Sequence, residues 1–169
     1  MQLLEFNSST WVLDINLRPP HYEKENIEKL LYKADVLKLN DHELKLIAGC
    51  YKGYTDVASQ LAFLQQKFEV PTLLVTLGDK GAMLKKGDNI FHHKGYRVNV
   101  CDTIGSGDAF LAGYLYKSAQ NKSPEEALSL GNALGAFIAT QRGACPEYSL
   151  ESISHLENQQ LKVRVFGST

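Results

Sequence analysis

The chain has 169 residues, of which 44% are hydrophobic and 22% are charged, and its formal net charge is −1. This balance suits one folded domain with an apolar core and argues against nucleic acid or an anionic membrane as a partner. No apolar run approaches the ~18 residues of a membrane-spanning helix, and the first residues lack a secretory pattern, so we expect a cytoplasmic protein. Cys50, Cys101 and Cys145 are widely spaced, which predicts reduced thiols.

The first part of the chain alternates between short apolar strands and amphipathic helices. The first strand stops before Pro19 and Pro20, and the second helix ends at Gly49. The predicted elements are a strand at 11–15, a helix at 23–34, a strand at 36–39, helices at 41–48 and 56–68, and a strand at 73–77.

The second part begins with a predicted hairpin around Gly87-Asp88-Asn89. Ser123, followed by Pro124 and then Glu126, forms a capping box that marks the start of a helix. Strand–helix alternation predicts an α/β fold in one domain, 1–169, with a mostly parallel sheet, helices on both faces and ligands beyond the carboxyl ends of the strands. The predicted elements are strands at 82–85, 90–93 and 96–100, and helices at 106–119 and 123–141.

Residues 102–108 read Asp-Thr-Ile-Gly-Ser-Gly-Asp and lead into a predicted helix. Gly105 and Gly107 let backbone N–H groups approach an anion, and the helix N-terminus adds partial positive charge. Asp108 then stands where a base could take a hydroxyl proton during phosphoryl transfer. An ordinary glycine turn explains the same spacing, so both explanations stay open here. A Rossmann-type oxidoreductase ranks last, because Phe110 replaces the third glycine of a dinucleotide fingerprint.

The segment 102–108 resembles the C-terminal signature of the PfkB (ribokinase-like) carbohydrate kinases, Asp-Thr-x-Gly-x-Gly-Asp. The resemblance implies a ribokinase-like fold and ATP-dependent phosphorylation of a sugar hydroxyl. It implies that Asp108 is the catalytic base and that backbone N–H groups of the neighbouring residues stabilise the transferring phosphoryl group. The further residues that it assigns are Gly105, Ser106 and Gly107 in catalysis, and Asp102 and Thr103 beside the nucleotide.

Asp14-x-Asn16-x-Arg18 follows the first strand. Alternate residues of an extended chain point the same way, which predicts three polar side chains on one side. A solvated strand end before the prolines explains them equally well. The segment resembles the Asp-x-Asn-x-Arg element of fructokinase-like members, which implies that these three residues bind substrate and favours fructose as the sugar.

Asn40 and Glu43 have the spacing of a helix capping box. They are also similar to the family's Asn-x-x-Glu element, which helps to organise magnesium, its waters and the nucleotide phosphates. The resemblance therefore implies that Asn40 binds the cofactor and that Glu43 serves the metal through water. Both roles can hold together, because a capped helix start can also face phosphates.

Three further segments resemble the nucleotide side of the family. Thr76, Gly78 and Gly81 are similar to its Thr-x-Gly-x-x-Gly element, although a simple turn into the hairpin explains them locally. Asn132 lies on the helix that passes the adenine in the family, although its small neighbours indicate close helix packing. Residues 143–146 resemble a loop near the nucleotide, where relatives can hold a monovalent cation in addition to ATP and Mg²⁺.

The resemblance covers essentially all of this chain but only the C-terminal half or so of a family member. We therefore expect the sugar-binding glycine motif and the small β lid to have no counterpart here, and sugar binding to be weak or absent. A sheet truncated at the N-terminus exposes an edge and an apolar face, which favours a homo-oligomer. The expected function is a sugar kinase, and the alternative is a non-catalytic nucleotide-binding or assembly module that is inactive as a fragment.

Overall fold

The computed structural model describes residues 9–18, 22–51, 53–143, 146–159 and 164–166. The chain divides into two compact units, and the division falls between Leu74 and Val75. Within the described residues, no helix is both long enough and apolar enough to cross a membrane. The thiols of Cys50 and Cys101 are free, whereas Cys145 lies outside the described residues.

The first unit alternates strands and helices, as the apolar spacing predicts. Its elements are β1 Val12–Asp14, α1 Lys24–Leu31, β2 Val36–Asn40, α2 Asp41–Gly49, α3 Val57–Phe68 and the start of β3 Thr72–Thr76. β1 pairs with β2 in parallel, with Val12 opposite Val36 and Asp14 opposite Lys38, and β2 neighbours β3. The parallel part of the predicted sheet is therefore confirmed in this unit.

The core of the first unit is built from leucines on β2, β3 and the helices that follow them. Leu37 and Leu73 on the strands have no exposed surface, and neither do Leu61 and Leu64 on α3. Each such side chain contributes about 1.5–3 kcal/mol by leaving water. Four consecutive buried residues in both β2 and β3 identify them as inner strands of a parallel arrangement.

The described residues of the second unit form the predicted hairpin and three α-helices. After β3 come a 3₁₀ turn Gly78–Lys80, β4 Ala82–Lys86, β5 Asn89–His93, α4 Ser106–Ala119, α5 Pro124–Ala139, α6 Leu150–Gln159 and β6 Arg164–Phe166. β4 pairs with β5 in an antiparallel register, and β5 pairs with β6 in the same sense. The strand pairing of the chain is therefore mixed, with the parallel part at its start.

Helices α4 and α5 approach closely because glycines line their contact. A Cβ atom on Gly113 would lie 2.8 Å from the Leu134 side chain, and one on Gly131 would lie 2.9 Å from the Phe110 carbonyl oxygen. A Cβ atom on Gly135 would lie 3.1 Å from the carbonyl oxygen of Ser106. The small residues of α5 thus serve helix packing, and this packing places the start of α4 against α5.

The predicted strand at 96–100 is wrong, because residues 94–100 form no regular structure. Tyr96 and Val98 pack against a cluster that includes Leu130 and Ile153, so their alternation reflects packing on helices α5 and α6. Several predicted boundaries also move by one to three residues. In particular, β1 ends at Asp14 instead of position 15, α1 ends at Leu31 instead of position 34, and α5 ends at Ala139 instead of position 141. The sequence pattern had not predicted α6 or β6.

Candidate functional site

The start of α4 is a tight turn whose helix N-terminus carries no side-chain cap. Gly105 occupies the N-cap position with φ +78°, a left-handed conformation that favours glycine. The Ser106 N–H donates to the Thr103 carbonyl at 3.2 Å, and the Ile104 N–H donates to the Asp102 carboxylate at 3.1 Å. The first N–H groups of a helix have no partner inside the helix, so this turn presents donors that suit an anion.

The hydroxyl of Ser106 supplies a second sign of a ligand. Its Oγ is buried and has no hydrogen-bond partner among the described residues. A buried polar atom without a partner costs about 1–3 kcal/mol, so such atoms are rare unless something else satisfies them. The unpartnered hydroxyl belongs to the first residue of the helix, directly after the uncapped Gly105, so an anion at this helix start could accept from it.

A cavity of about 590 Å³ in the second unit brings seven of the predicted site residues together. Asp79, Arg97 and Asn132 add polar groups to its wall, and Val98 and Phe110 add apolar surface. This mixture suits a ligand with both a flat apolar part and a charged part. The predicted residues on the wall are Thr76, Gly78, Gly81, Thr103, Ser106, Gly107 and Asn132.

Three predicted residues belong to the turn at α4 without lining the cavity. Gly105 is its N-cap, Asp102 closes the turn through its carboxylate, and Asp108 is exposed in the first turn of α4. A carboxylate in the first turn is favoured by the helix dipole. Asp108 is therefore accessible to a molecule that arrives from solvent beside the turn at α4.

The turn after β3 depends on glycine at position 81. Gly81 has φ +85°, and a Cβ atom there would lie 2.0 Å from the His93 carbonyl oxygen and 2.3 Å from the Gly95 nitrogen. The side chain of His93 stabilises the backbone segment that lies against Gly81, because its Nδ1 accepts the Gly95 N–H at 3.0 Å. Burial, with a smaller contribution from the charge of His92, lowers the pKa of His93 to about 4. The ring is therefore a neutral acceptor near pH 7.

Helix α5 forms another wall of the cavity and holds the segment that precedes α4. Asn132 is buried and its Nδ2 donates to the Leu128 carbonyl at 2.7 Å, which ties the side chain to its own helix. At the end of α5 the Ala139 carbonyl accepts the N–H groups of Cys101 and Asp102 at 2.7 and 3.2 Å. The last carbonyl of α5 thus anchors the segment that leads into the turn at α4. Ala144 and Cys145 of the predicted cation loop lie outside the described residues.

The first unit holds the predicted substrate residues, and they do not share one orientation as predicted. Asp14 is paired with the buried Lys38, whose Nζ contacts the two carboxylate oxygens at 2.9 and 3.1 Å. Asn16 has φ +44°, so the chain leaves the extended conformation and the alternation of side chains is lost. Asn16 and Arg18 are exposed and line a separate cavity of about 720 Å³, and their substrate role stays a prediction.

The capping box at the start of α2 is confirmed. Asn40 Oδ1 accepts the Glu43 N–H at 2.8 Å, and Glu43 Oε2 accepts the Asn40 N–H at 2.8 Å. Glu43 Oε1 also accepts the Leu17 N–H at 2.9 Å, and the residue is only 3% exposed. Among the described residues no group of three or more His, Cys, Asp or Glu side chains could hold a metal ion.

Comparison with known proteins places this chain in a family. The family model described as "pfkB family carbohydrate kinase" matches residues 1–150. The chain belongs to the pfkB family of carbohydrate kinases. It is 31% identical over 142 residues to the fructokinase of Escherichia coli, an alignment that covers 78% of this chain and 45% of that protein.

Solved structures of pfkB-family and ribokinase-like proteins share this fold. The fructokinase of Vibrio cholerae O395, solved with fructose, ADP and calcium ion, is 29% identical to this chain, and the TM-score is 0.69. The match covers 79% of this chain and 45% of the fructokinase chain. The ribokinase of Thermotoga maritima has a TM-score of 0.75 at 21% identity, with 93% and 52% covered. The ribokinase-like α/β fold is therefore confirmed. The chain spans about half the length of the relatives it matches.

Several residues of the cavity in this pfkB-family chain were missed from the sequence. Arg97, Val98 and Val100 line it, but they belong to the segment that was predicted as a strand. Gly135 and Ala136 line it from α5, where small residues indicated only helix packing. No local signal distinguished this segment from a strand, because the apolar residues Tyr96, Val98 and Val100 alternate with the polar residues Arg97 and Asn99.

Proposed function

We propose that this chain carries the nucleotide site and the catalytic base of an ATP-dependent sugar kinase. The observation that carries the proposal is the uncapped start of α4, where the Ser106 hydroxyl is buried without a partner beside the cavity. Phosphate oxygens match these donors in charge and in number of acceptor sites. The nucleotide phosphates would bind at the α4 turn, with the Thr76, Gly78 and Gly81 turn and Asn132 on the walls that enclose the remainder.

In the proposed reaction, the chain positions groups and stabilises charge. The N–H groups of Gly105 and Gly107 and the hydroxyl of Ser106 hold the transferring phosphoryl oxygens, which carry growing charge in a loose transition state. Asp108 accepts the proton of the sugar hydroxyl while the hydroxyl oxygen forms a bond to the γ-phosphorus of ATP. At the same time the bond between the γ-phosphorus and the β-phosphate oxygen breaks, and ADP leaves. A carboxylate is a weak base toward an alcohol, so most of the rate enhancement comes from positioning.

The described residues do not form a resident metal centre, so Mg²⁺ enters the proposal as part of the substrate, magnesium-ATP. Magnesium in kinases is commonly held by nucleotide phosphates, water and one or two carboxylates. Bound to the nucleotide, it neutralises phosphate charge. Likeness to fructokinases supports fructose as the sugar, with Asn16 and Arg18 of the first unit as proposed contacts.

Calorimetric titration with magnesium-ADP tests the nucleotide site. Ser106→Ala removes a hydroxyl that has no partner in the protein alone, so it should weaken binding at least tenfold, the loss of one charge-assisted bond, without lowering the free energy of unfolding. Ser123→Ala is the matched control. It removes the α5 cap and should cost about 1 kcal/mol of stability while leaving the affinity unchanged. Equal affinities in the protein and Ser106→Ala would refute the site.

The catalytic role of Asp108 needs a sugar and the rest of the protein. In this chain joined to the N-terminal half of the Escherichia coli fructokinase, Asp108→Asn should abolish ADP release with fructose and keep nucleotide affinity within about threefold, since the carboxylate acts on the hydroxyl. Nucleotide binding without any turnover in the unmutated fusion would favour a non-catalytic nucleotide-binding module. Full turnover in Asp108→Asn would remove this residue from its proposed role.

A further inference from the structure

The carboxylate of Glu43 accepts hydrogen bonds from two backbone N–H groups that lie far apart in the chain. One oxygen accepts from Asn40 at the start of α2, and the other accepts from Leu17, 26 residues earlier. Only 3% of the residue is exposed. A buried carboxylate is stabilised by such charge-assisted bonds, and the bond to Leu17 is one that a helix capping box does not require.

The segment that Glu43 reaches is held at both ends and contorted between them. Asp14 is fixed at one end by its ion pair with Lys38, and Leu17 is fixed at the other by Glu43. Asn16 lies between these two points with φ +44°. A left-handed conformation costs a non-glycine residue on the order of 1 kcal/mol and persists only where the surroundings impose it. The two anchors supply that constraint, and the side chains of Asn16 and Arg18 remain exposed.

The surroundings of Glu43 do not fit a metal site. Mg²⁺ is held by oxygen ligands and usually keeps several waters, which need space around the carboxylate. Here both carboxylate oxygens contact backbone donors, the residue is almost fully buried, and the described residues provide no cluster of further acidic or histidine ligands.

We propose that Glu43 is a positioning residue, which fixes the backbone at Leu17 so that Asn16 and Arg18 are presented in one arrangement. The role of that arrangement in binding sugar rests on the proposed function. The clamp itself does not, because it is a contact within the first unit that exists without nucleotide or sugar. Glu43 therefore joins the segment after β1 to the first turn of α2 without contacting a metal.

Amide hydrogen exchange measured by NMR on this chain tests the clamp. In Glu43→Gln the amide oxygen can accept from only one of the two N–H groups, so the amide that loses its acceptor, that of Leu17 or that of Asn40, should exchange at least tenfold faster. Asp41→Asn is the matched control, because Asp41 is also an acid in the first turn of α2, but its exposed carboxylate pairs with Lys45 on the same helix. It should leave the Leu17 exchange rate unchanged. Unchanged exchange of both the Leu17 and the Asn40 amides in Glu43→Gln would overturn the proposal.

A metal role makes the opposite prediction in the same samples. The concentration of Mg²⁺ needed for half-maximal ADP binding should change less than threefold in Glu43→Gln, whereas loss of a ligand would raise it tenfold or more. If Glu43→Gln does not fold, the unmutated chain still decides, because the ¹³C resonance of the Glu43 carboxylate should not move on adding Mg²⁺ and ADP. A shift that saturates with Mg²⁺ would refute the proposal. If ADP does not bind at all, the proposed nucleotide site fails and the Leu17 exchange still judges the clamp.

Discussion

Gly131 lies where α5 presses against α4, and an alanine at this position has no room. Its Cβ atom would lie 2.9 Å from the Phe110 carbonyl oxygen and 3.1 and 3.2 Å from two carbons of the Phe110 ring. The carbonyl oxygen belongs to the backbone of α4 and cannot turn away as the end of a flexible side chain can. The two helices must therefore separate by several tenths of an ångström to admit one methyl group.

Two opposing effects determine the cost of Gly131→Ala. Overpacking a close-packed interior costs about 1–3 kcal/mol. Alanine is favoured over glycine inside a helix by about 1 kcal/mol, which offsets part of that cost. We expect a net loss of up to about 2 kcal/mol in the free energy of unfolding. Since Phe110 lies one turn after Ser106, we also expect weaker magnesium-ADP binding.

Urea denaturation followed by circular dichroism measures this loss, and Gly49→Ala is the control. Gly49 ends α2, and a Cβ atom there meets nothing within 4 Å. Alanine at position 49 should therefore leave stability unchanged or raise it by up to about 1 kcal/mol. If Gly131→Ala is as stable as Gly49→Ala, the inference that glycine sets the distance between α4 and α5 is wrong.

Two further predictions concern charge. The pKa of His93 is about 4 in the folded protein and about 6.5 when unfolded, so the unfolded chain binds the proton first and stability falls as the pH drops from 6.5 to 4. His93→Leu should remove up to about 1.4 kcal/mol per pH unit from this dependence, and identical slopes in urea titrations at several pH values would contradict it. Asp14→Asn leaves the buried Lys38 without its ionic partner and should cost about 3 kcal/mol of unfolding free energy. The double variant Asp14→Leu with Lys38→Met should recover most of that loss, and a double variant no more stable than Asp14→Asn would show that the unpaired charge is not the cause.

Local signals predicted much of the fold where they agree with the packing. The capping box at Ser123 marks the start of α5 because a side chain and a backbone N–H satisfy each other within one turn. The strand predicted at 96–100 shows where such signals fail. Tyr96 and Val98 alternate as in a strand, but the surface that buries them belongs to α5 and α6, and Val100 is 62% exposed. Alternation reports which side chains are buried, not which partner buries them.

The candidate site divides in the same way. Residues whose motif rests on backbone geometry, such as Gly81 and Ser106, lie on one cavity of the second unit. The expectation for Asp14, Asn16 and Arg18 rested on extended geometry, which a single left-handed residue removes. That conformation depends on contacts with Lys38 and Glu43, which are distant in sequence, so no pattern within five residues could predict it.

Cys101 and Asp102 donate hydrogen bonds to the carbonyl of Ala139, so the length of α5 determines where the segment before α4 is held. Its first turn is fixed at Ser123, and its 16 residues span about 24 Å, so the position of its last carbonyl is set by counting residues. One inserted residue would rotate that carbonyl by about 100° and move it by about 1.5 Å, away from both donors. We therefore expect a change of length within α5 to disturb the turn at α4 more than a change at the connection around Asn121, which precedes the helix.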